Sequence, residues 1–463
     1  MPRLVNPVAF GFMALLLSGC ATTALPPSTF ATPPAFAGAT ASATPAAAPQ
    51  NGSWWLVFSD PVLDDLMARA MEKNNDIKLA AAHLEQARAL LRSSKADLWP
   101  QAGISYDASR STYLQPQDKA ATSHALDLDL SYEVDLSGRI RAGAQAARLD
   151  AQSSQALLRD TQLLIQSRVA ESYFALRALD EDSAIVGDTL AAYSASLAVT
   201  QHRFDEGDVA ELDVARLQTE VASTEAEKTA LDQQRADLAH ALAVLVGEPA
   251  GDFDVTTIAW ANEPWAGAVP VIPAGVPADV LQQRPDVQAA YTSLEAAQKR
   301  VGIARAAWLP SLNLTASGGY ASSDLDTLFN KGAGTWSLAA ILSQAIFDGG
   351  ARNASIDNAK GGLDAAFAGY RQSVLTAIAD VEDQLSDLDY LQQQQASEDQ
   401  AVQAATRALT MAQSRYTNGS SSQLEVLDAQ RSQLSIRRQA LKVRAAQYQS
   451  TVGLVRALGG SWS

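Results

Sequence analysis

The second half of this chain repeats the first. Asp76-Ile77, Leu84-Glu85, Ala96 and Pro100 recur as Asp286-Val287, Leu294-Glu295, Ala306 and Pro310, at an offset of 210. Farther along, Arg203-Phe204, Gly207, Leu212 and Gln218 recur as Arg415-Tyr416, Gly419, Leu424 and Gln430, and Leu245-Val246-Gly247 as Ala457-Leu458-Gly459, at an offset of 212. About two residues are inserted across the whole unit. A period this long is not that of a short-repeat solenoid, so the chain must build two large, pseudo-symmetric units side by side.

The N-terminus gives those units an address. Arg3, an apolar run over residues 8–17 and then Leu17-Ser18-Gly19-Cys20 have the form of a secretory signal, with an apolar stretch too short to span a bilayer. Cys20 is the only cysteine. It sits where a bacterial lipoprotein box has its own, and this resemblance implies cleavage before Cys20 and acylation of its sulfur and amino group. Ala21 in place of aspartate implies onward export to the outer membrane. Lipid chains tether a protein without making it span. With no second cysteine, the exported chain has no disulfide to rely on.

Proline marks the boundaries. Six of the 18 prolines lie within residues 26–49, in an Ala/Thr/Pro/Ser tract read as a flexible tether, and five more fall between 249 and 277; none follows Pro310. The expected division is a signal at 1–19, an acylated tether at 20–52, repeat 1 at 53–248, an equatorial linker at 249–284 and repeat 2 at 285–463. Without Arg3 the chain carries 34 basic against 51 acidic side chains. That balance disfavours nucleic acid and fits solvated helix faces and an acidic, water-filled surface.

Each repeat reads as a helix, two strands and two very long helices. Residues 139–204 contain no proline and two glycines, and 66 helical residues would run about 100 Å. After a break at 205–208 a second helix returns to Gly247. The second repeat does the same over 351–459, around Thr417-Asn418-Gly419. These are helical hairpins of coiled-coil character with a glycine at the tip. Between the helices the period changes to two. Leu126, Leu128, Leu130, Tyr132 and Val134 alternate with Asp127, Asp129, Ser131, Glu133 and Asp135, which has the length and pattern of an outer-membrane strand. A half-buried strand of a soluble protein alternates too; the export signal favours the membrane. Strands are expected at 101–113 and 123–135, and again at 311–320 and 335–347.

Four strands cannot close a barrel, and an open sheet edge is not tolerated in lipid. Two copies would give eight strands and a filled interior, whereas three give twelve and leave a passage. The expected fold is therefore mainly α with a membrane β-barrel. A homotrimer forms a 12-stranded barrel, and its twelve long helices continue as an α-helical barrel.

The residues also carry a specific likeness. Ser53-Trp54-Trp55 with Phe58 and Asp60, QQRPD at 282–286, IARAAWLP at 303–310, IFDGG at 346–350, RYTNGSSSQLEVLDAQR at 415–431 and ALGGSW at 457–462 resemble the TolC/OprM-like outer membrane efflux factor family, in its NodT-type lipoprotein branch. The likeness covers almost all of residues 53–462. It departs at Ala345, where relatives often have proline, a residue tolerated rather than required near a strand end. The resemblance implies a homotrimeric channel in the outer membrane with a periplasmic helical tunnel. Such a channel passes drugs and toxic small molecules from an inner-membrane pump of the resistance-nodulation-division (RND) type through a periplasmic adaptor. No cofactor or metal is implied beyond the lipid on Cys20.

Leu424, Asp428 and Arg431 stand at i, i+4 and i+7 and so share one helical face just past Gly419. By the resemblance, the leucine and the aspartate form rings that narrow the periplasmic mouth and the arginine helps to hold it shut. Glu425, one residue off that face, and its repeat equivalent Asp213 match acidic positions that line or brace the mouth, and fit a solvated face equally well. Arg203, Gly207, Leu212, Arg415 and Gly419 resemble the tip pattern on which the adaptor docks; they also read as turn and coiled-coil residues.

An enzyme is not expected. His83, His124, His202 and His240 lack metal-ligand spacing, and no nucleophile-elbow or phosphate-loop motif is present in context. Two other readings are an outer-membrane conduit for protein secretion and a lipoprotein coiled-coil scaffold that never spans the membrane. The acylation reading has a direct test. Cys20→Ser should abolish incorporation of labelled palmitate and leave an unprocessed or mislocalised precursor; equal labelling of the variant would refute it.

Overall fold

A computed structural model describes residue 36 and residues 52–112, 120–256, 269–273 and 283–462. Cys20, the signal and most of the tether lie outside the described residues, as does part of the linker. In chain order the elements are α1 (Pro61–Lys73), α2 (Asn75–Ala96), β1 (Gln101–Ser111), β2 (Ala121–Val134), α3 (Arg139–Asp205), α4 (Glu211–Val246), α5 (Pro285–Ala306), β3 (Ser311–Ser322), β4 (Gly334–Ser343), α6 (Ala351–Thr417) and α7 (Gln423–Ala457). The duplication is visible element by element. α3 and α6 each span 67 residues, and α4 and α7 span 36 and 35. None of the described helices is long and apolar enough to cross a membrane.

The chain divides into two compact units, and each draws on both repeats. The first holds the strands with residues 83–155 and 289–372. Its four strands form one antiparallel sheet in the order β1-β2-β3-β4, so β2 also pairs with β3 and joins what the sequence suggests as two separate hairpins. Side chains alternate across a sheet, and the register keeps the two chemistries apart. Ile104, Leu128, Gly318 and Trp336 form one cross-strand row; Ala102, Leu130, Ala316 and Leu338 form the next on the same face. On the other face the rows read Gly103, Asp129, Ser317, Ser337 and Ser105, Asp127, Gly319, Thr335. Hydroxyls knit that polar face: Ser105 Oγ donates to Asp129 Oδ2 at 3.1 Å, and the Ser317 and Ser337 hydroxyls lie 2.8 Å apart. Every residue of β1 and β4 is exposed, and the outer edge of each is unpaired among the described residues.

Strand ends depart from expectation where turn chemistry competes. β2 stops at Val134 because the Asp135 carboxylate accepts from the Ile140 and Arg141 amides, 3.2 and 3.0 Å away, and caps α3. β4 stops at Ser343 rather than 347. Asp348 accepts from the amides of Gly350 and Arg352, and Gly349 and Gly350 take φ of +64° and +95°, a left-handed turn that no strand can contain. In the same unit, helices α5 and α6 pack Leu294, Ala297 and Val301 against Leu363, with Phe367 and Tyr370 at the margin.

The second unit comprises residues 32–82, 156–288 and 373–463 and contains the main core. Trp54, Leu63, Leu66 and Met67 are sealed there against Ile165, Val169, Tyr173 and Phe174 of α3, Leu242 and Val246 of α4, and Val452, Val455 and Trp462. Asp60 caps α1 through the Val62 and Leu63 amides and also accepts from the Tyr173 hydroxyl at 2.5 Å. Phe36 lies in this core at 4 % exposure. The tract read as an unpacked tether is therefore docked at that point, since one aromatic ring offers enough apolar area to be held.

Both repeats close on themselves in the same way. Gly247 (φ +75°) ends α4 against the start of the first repeat, so close that a Cβ would meet the Lys73 carbonyl oxygen at 2.6 Å. The carboxylate of Glu248 pairs there with Arg69 and Lys73. Gly459 (φ +86°) ends α7 against Gln283 and Arg284. Arg284 reaches Asp286 at 2.7 Å, Asp380 at 2.9 Å and the Ala457 carbonyl at 3.2 Å.

The register makes a paired prediction. Leu128→Arg sets a charge on the apolar face, which costs about 2–4 kcal/mol at a bilayer midplane, and should reduce the yield of membrane-assembled protein in heat-modifiability gels. Asp129→Arg, one residue away on the polar face, should leave assembly intact and change ion selectivity in planar bilayers. Equal yields from the two variants would overturn the facing.

Candidate functional site

The sequence places its candidate residues around Gly207 and Gly419, and the backbone explains why glycine stands at both. In the first hairpin the Gly207 amide donates to the Phe204 carbonyl at 2.9 Å and the Asp208 amide to the Arg203 carbonyl at 2.8 Å; in the second, Gly419 donates to Tyr416 at 2.9 Å and Ser420 to Arg415 at 2.8 Å. These are paired Schellman closures with glycine at φ +84° and +70°, a conformation open to glycine at little cost. The two tips thus share one backbone and differ in side chains. Residues 205–213 carry five carboxylates, whereas residues 417–425 carry one among hydroxyls and amides.

The tips touch each other. Arg203 Nη1 donates to the Tyr416 hydroxyl at 3.0 Å, joining the first hairpin to the second through side chains that occupy adjacent positions of the repeat. Glu425 pairs with Arg415 at 3.2 Å and Asp213 with Arg216 at 3.6 Å. Leu212 and Leu424 are both solvent-exposed.

On α7, Val426, Leu427 and Gln430 are buried while Leu424, Asp428 and Arg431 are exposed. The i, i+4, i+7 set therefore shares a face turned away from the protomer's own packing. Arg431 sits between two carboxylates. It bonds Glu220 of α4, and its Nη1 lies 3.6 Å from Asp428 Oδ1. The hydrogen bond to Glu220 is the main cause that raises the Arg431 pKa above its ordinary value.

Seven residues above, the contact recurs. Arg438 grips Asp182 of α3 with two bonds, 2.6 and 2.9 Å, and also bonds Glu227 of α4. Glu220 to Glu227 and Arg431 to Arg438 are each one heptad, so α4 and α7 run in parallel with a two-rung ion-pair ladder between them. The carboxylates, Asp182 foremost, push the Arg438 guanidinium pKa up. Beneath the lower rung lies a small apolar cluster of Tyr193, Leu217 and Leu427.

Glu220, Tyr193, Asp182 and Arg438 were not among the expected site residues. A signal for part of the set exists in the heptads Asp213/Glu220/Glu227 and Leu424/Arg431/Arg438. Their pairing is tertiary and depends on which faces of α4 and α7 meet. Among the described residues no cluster of side chains could hold a metal ion.

With this architecture and these tips, comparison with known proteins becomes specific. The family model for outer membrane efflux proteins matches residues 66–248 and again residues 276–460, once for each repeat. The chain belongs to the outer membrane efflux protein family. It is 35 % identical to the solvent efflux pump outer membrane protein SrpC of Pseudomonas putida over 414 residues, covering 88 % of this chain and 87 % of that one. It is 31 % identical to the pyoverdine export outer membrane protein OpmQ of the same species, covering 97 % and 96 %. The open-state structure of the Neisseria gonorrhoeae MtrE outer membrane channel superposes with a TM-score of 0.81 at 27 % identity, over 93 % of this chain and 95 % of that one. The protein is thus an efflux channel of the outer membrane, and its two-faced sheet is the part of the family fold suited to lipid on one side and water on the other.

In such a channel the ladder fastens one hairpin to the other. Arg438→Ala removes charge-assisted bonds from a side chain that is four-fifths buried, and should lower the unfolding free energy of the detergent-solubilised protein by about 2 kcal/mol. Arg438→Lys, which cannot form the two-point contact, should recover only part of it. A thermal unfolding midpoint unchanged in both variants would show that the upper rung adds nothing.

Proposed function

We propose that three copies of this chain close a 12-stranded barrel and a helical tunnel that together carry small molecules passively out of the cell. The reading rests on one observation above all, the four-stranded sheet with an apolar face, an acidic and hydroxyl-bearing face, and two unpaired edges. Under three-fold symmetry the β1 edge of one copy meets the β4 edge of the next, so all backbone groups in the hydrocarbon are paired. Large apolar side chains left open on the single chain, Ile346, Phe347, Tyr390 and Met411, fit cover by neighbouring copies.

The channel works as the outer segment of a three-part pump. An inner-membrane pump of the RND type selects and drives the cargo, and a periplasmic adaptor joins the two. The tips around Arg203, Gly207, Leu212, Arg415 and Gly419 are the adaptor's landing points, and lipid on Cys20 holds the assembly to the outer membrane. No chemical step falls to the channel itself. Relatives named for solvents and for pyoverdine support small-molecule cargo over secreted protein. A scaffold that never enters the membrane has no use for the two-faced sheet.

The mouth is formed by Leu424, Asp428 and Arg431, with Glu425 and Asp213 bracing it through Arg415 and Arg216. Three leucines make an apolar constriction, and three Asp428 carboxylates make a ring that favours cations. Arg431 holds α7 to α4 through Glu220. Asp428→Ala combined with Arg431→Ala removes the ring and the lower rung together. Conductance in a planar bilayer should rise and cation preference fall, most at low salt, where the Debye length is longest, while the trimer band persists. Gln393→Ala and Gln394→Ala, on the exposed side of α6, should do neither. A double variant that remains trimeric yet conducts and selects like the parent would remove Asp428 and Arg431 from the mouth.

A further inference from the structure

Below the lower rung lies a hydroxyl without a bond. Tyr193 of α3 is 1 % exposed, and its hydroxyl has no hydrogen-bond partner among the described residues. Buried hydroxyls are seldom left so, because an unmade bond forfeits the full cost of leaving water. The ring is held by Leu217, one turn before Glu220, by Val221 beside it and by Leu427, one turn before Arg431. Tyr193 is therefore built into the layer from which both members of the rung project. Burial, and after it the Glu220 carboxylate, push the Tyr193 pKa up to about 12, so the hydroxyl stays protonated and able to donate.

Glu220 is itself 13 % exposed. A carboxylate with so little contact with water gains from a replacement donor when its cation leaves. Arg431 has a second carboxylate within reach, Asp428, at 3.6 Å. Glu220 has a second donor in its own layer, Tyr193.

We propose that Tyr193 is the alternative partner of Glu220. When Arg431 swings from Glu220 to Asp428, the Tyr193 hydroxyl donates to the carboxylate it leaves behind. Every charge stays paired through the exchange, and the mouth has two settled arrangements. Tyr193 is a positioning residue that supports the released arrangement alone, because in the fastened one its hydroxyl bonds nothing. The inference rests on the reading of Arg431 as a fastening of the mouth.

The test is single-channel recording of the open fraction, with the trimer band read on the same samples. Tyr193→Phe keeps the ring and its packing. It removes the donor only where the donor is used, so the open fraction should fall about tenfold, the size of one hydrogen bond to a charged group. Arg431→Ala should raise the open fraction, and in that background, where Glu220 is free of its cation in both arrangements, Tyr193→Phe should have little effect on it. In a Glu220→Ala background, with no acceptor, Tyr193→Phe should have no effect. A fluorotyrosine at 193 has a more acidic, stronger-donating hydroxyl and should shift the open fraction the other way, a reversal that packing alone does not produce. If Arg431→Ala opens the channel but Tyr193→Phe changes nothing in the parent, the exchange is wrong and the mouth reading stands. If Arg431→Ala fails to open it, both fall.

Discussion

Hydrocarbon offers no hydrogen bonds, and a sheet with two bare edges cannot rest in it. This one constraint orders the rest of the molecule. The four strands pair in a single register that keeps leucines on one face and carboxylates on the other, so only the edges of β1 and β4 remain to be satisfied. Satisfying them requires other copies, and rotation about one axis follows. Once the axis exists, every side chain facing it becomes a ring. An exposed leucine and an exposed aspartate on α7, unremarkable on one chain, are the pair we propose to become an apolar collar and a charged collar when tripled.

Within that rotational symmetry the duplication supplies a second, broken one. The tips are built on the same closure down to the lengths of their hydrogen bonds, and the returning helices α4 and α7 are near equal in length. Their side chains have diverged toward opposite charge. Where α4 carries Glu220 and Glu227, α7 offers Arg431 and Arg438 in the facing positions. At the offset of 212 the counterparts of Arg431 and Arg438 are Thr219 and Ala226, so the cations that make this seam attractive are particular to α7. The same drift left one tip acidic and the other rich in hydroxyls.

Much of the fold is written locally and could be read from residues alone. Alternation over Leu126–Val134 fixes which strand face is apolar, and the lack of proline across residues 139–204 marks the long helix to within a residue of its observed end. Gly207 and Gly419 announce their turns because few other residues accept the left-handed closure. What could not be read is pairing over distance. Nothing in the neighbourhood of Glu220 names Arg431, 211 positions away, as its partner, and nothing in a Pro- and Ala-rich tract marks Phe36 as a core residue. The family-like motifs also conceal their physical work. Arg284 and Asp286 of QQRPD form a clamp on Asp380 and the end of α7, a role visible only once those elements are side by side.

The seven-residue spacing of the rungs bears on how such a chain can change over time. Inserting one residue between Arg431 and Arg438 would turn the rest of α7 by about 100°, carrying Arg438 off Asp182 and Glu227 at a stroke. Inserting seven would restore the facing at the cost of length, and the C-terminal ends are fixed by close approaches, at Gly247 to the Lys73 carbonyl and at Gly459 to Gln283 and Arg284. The two returning helices can therefore vary in residue type but hardly in residue number.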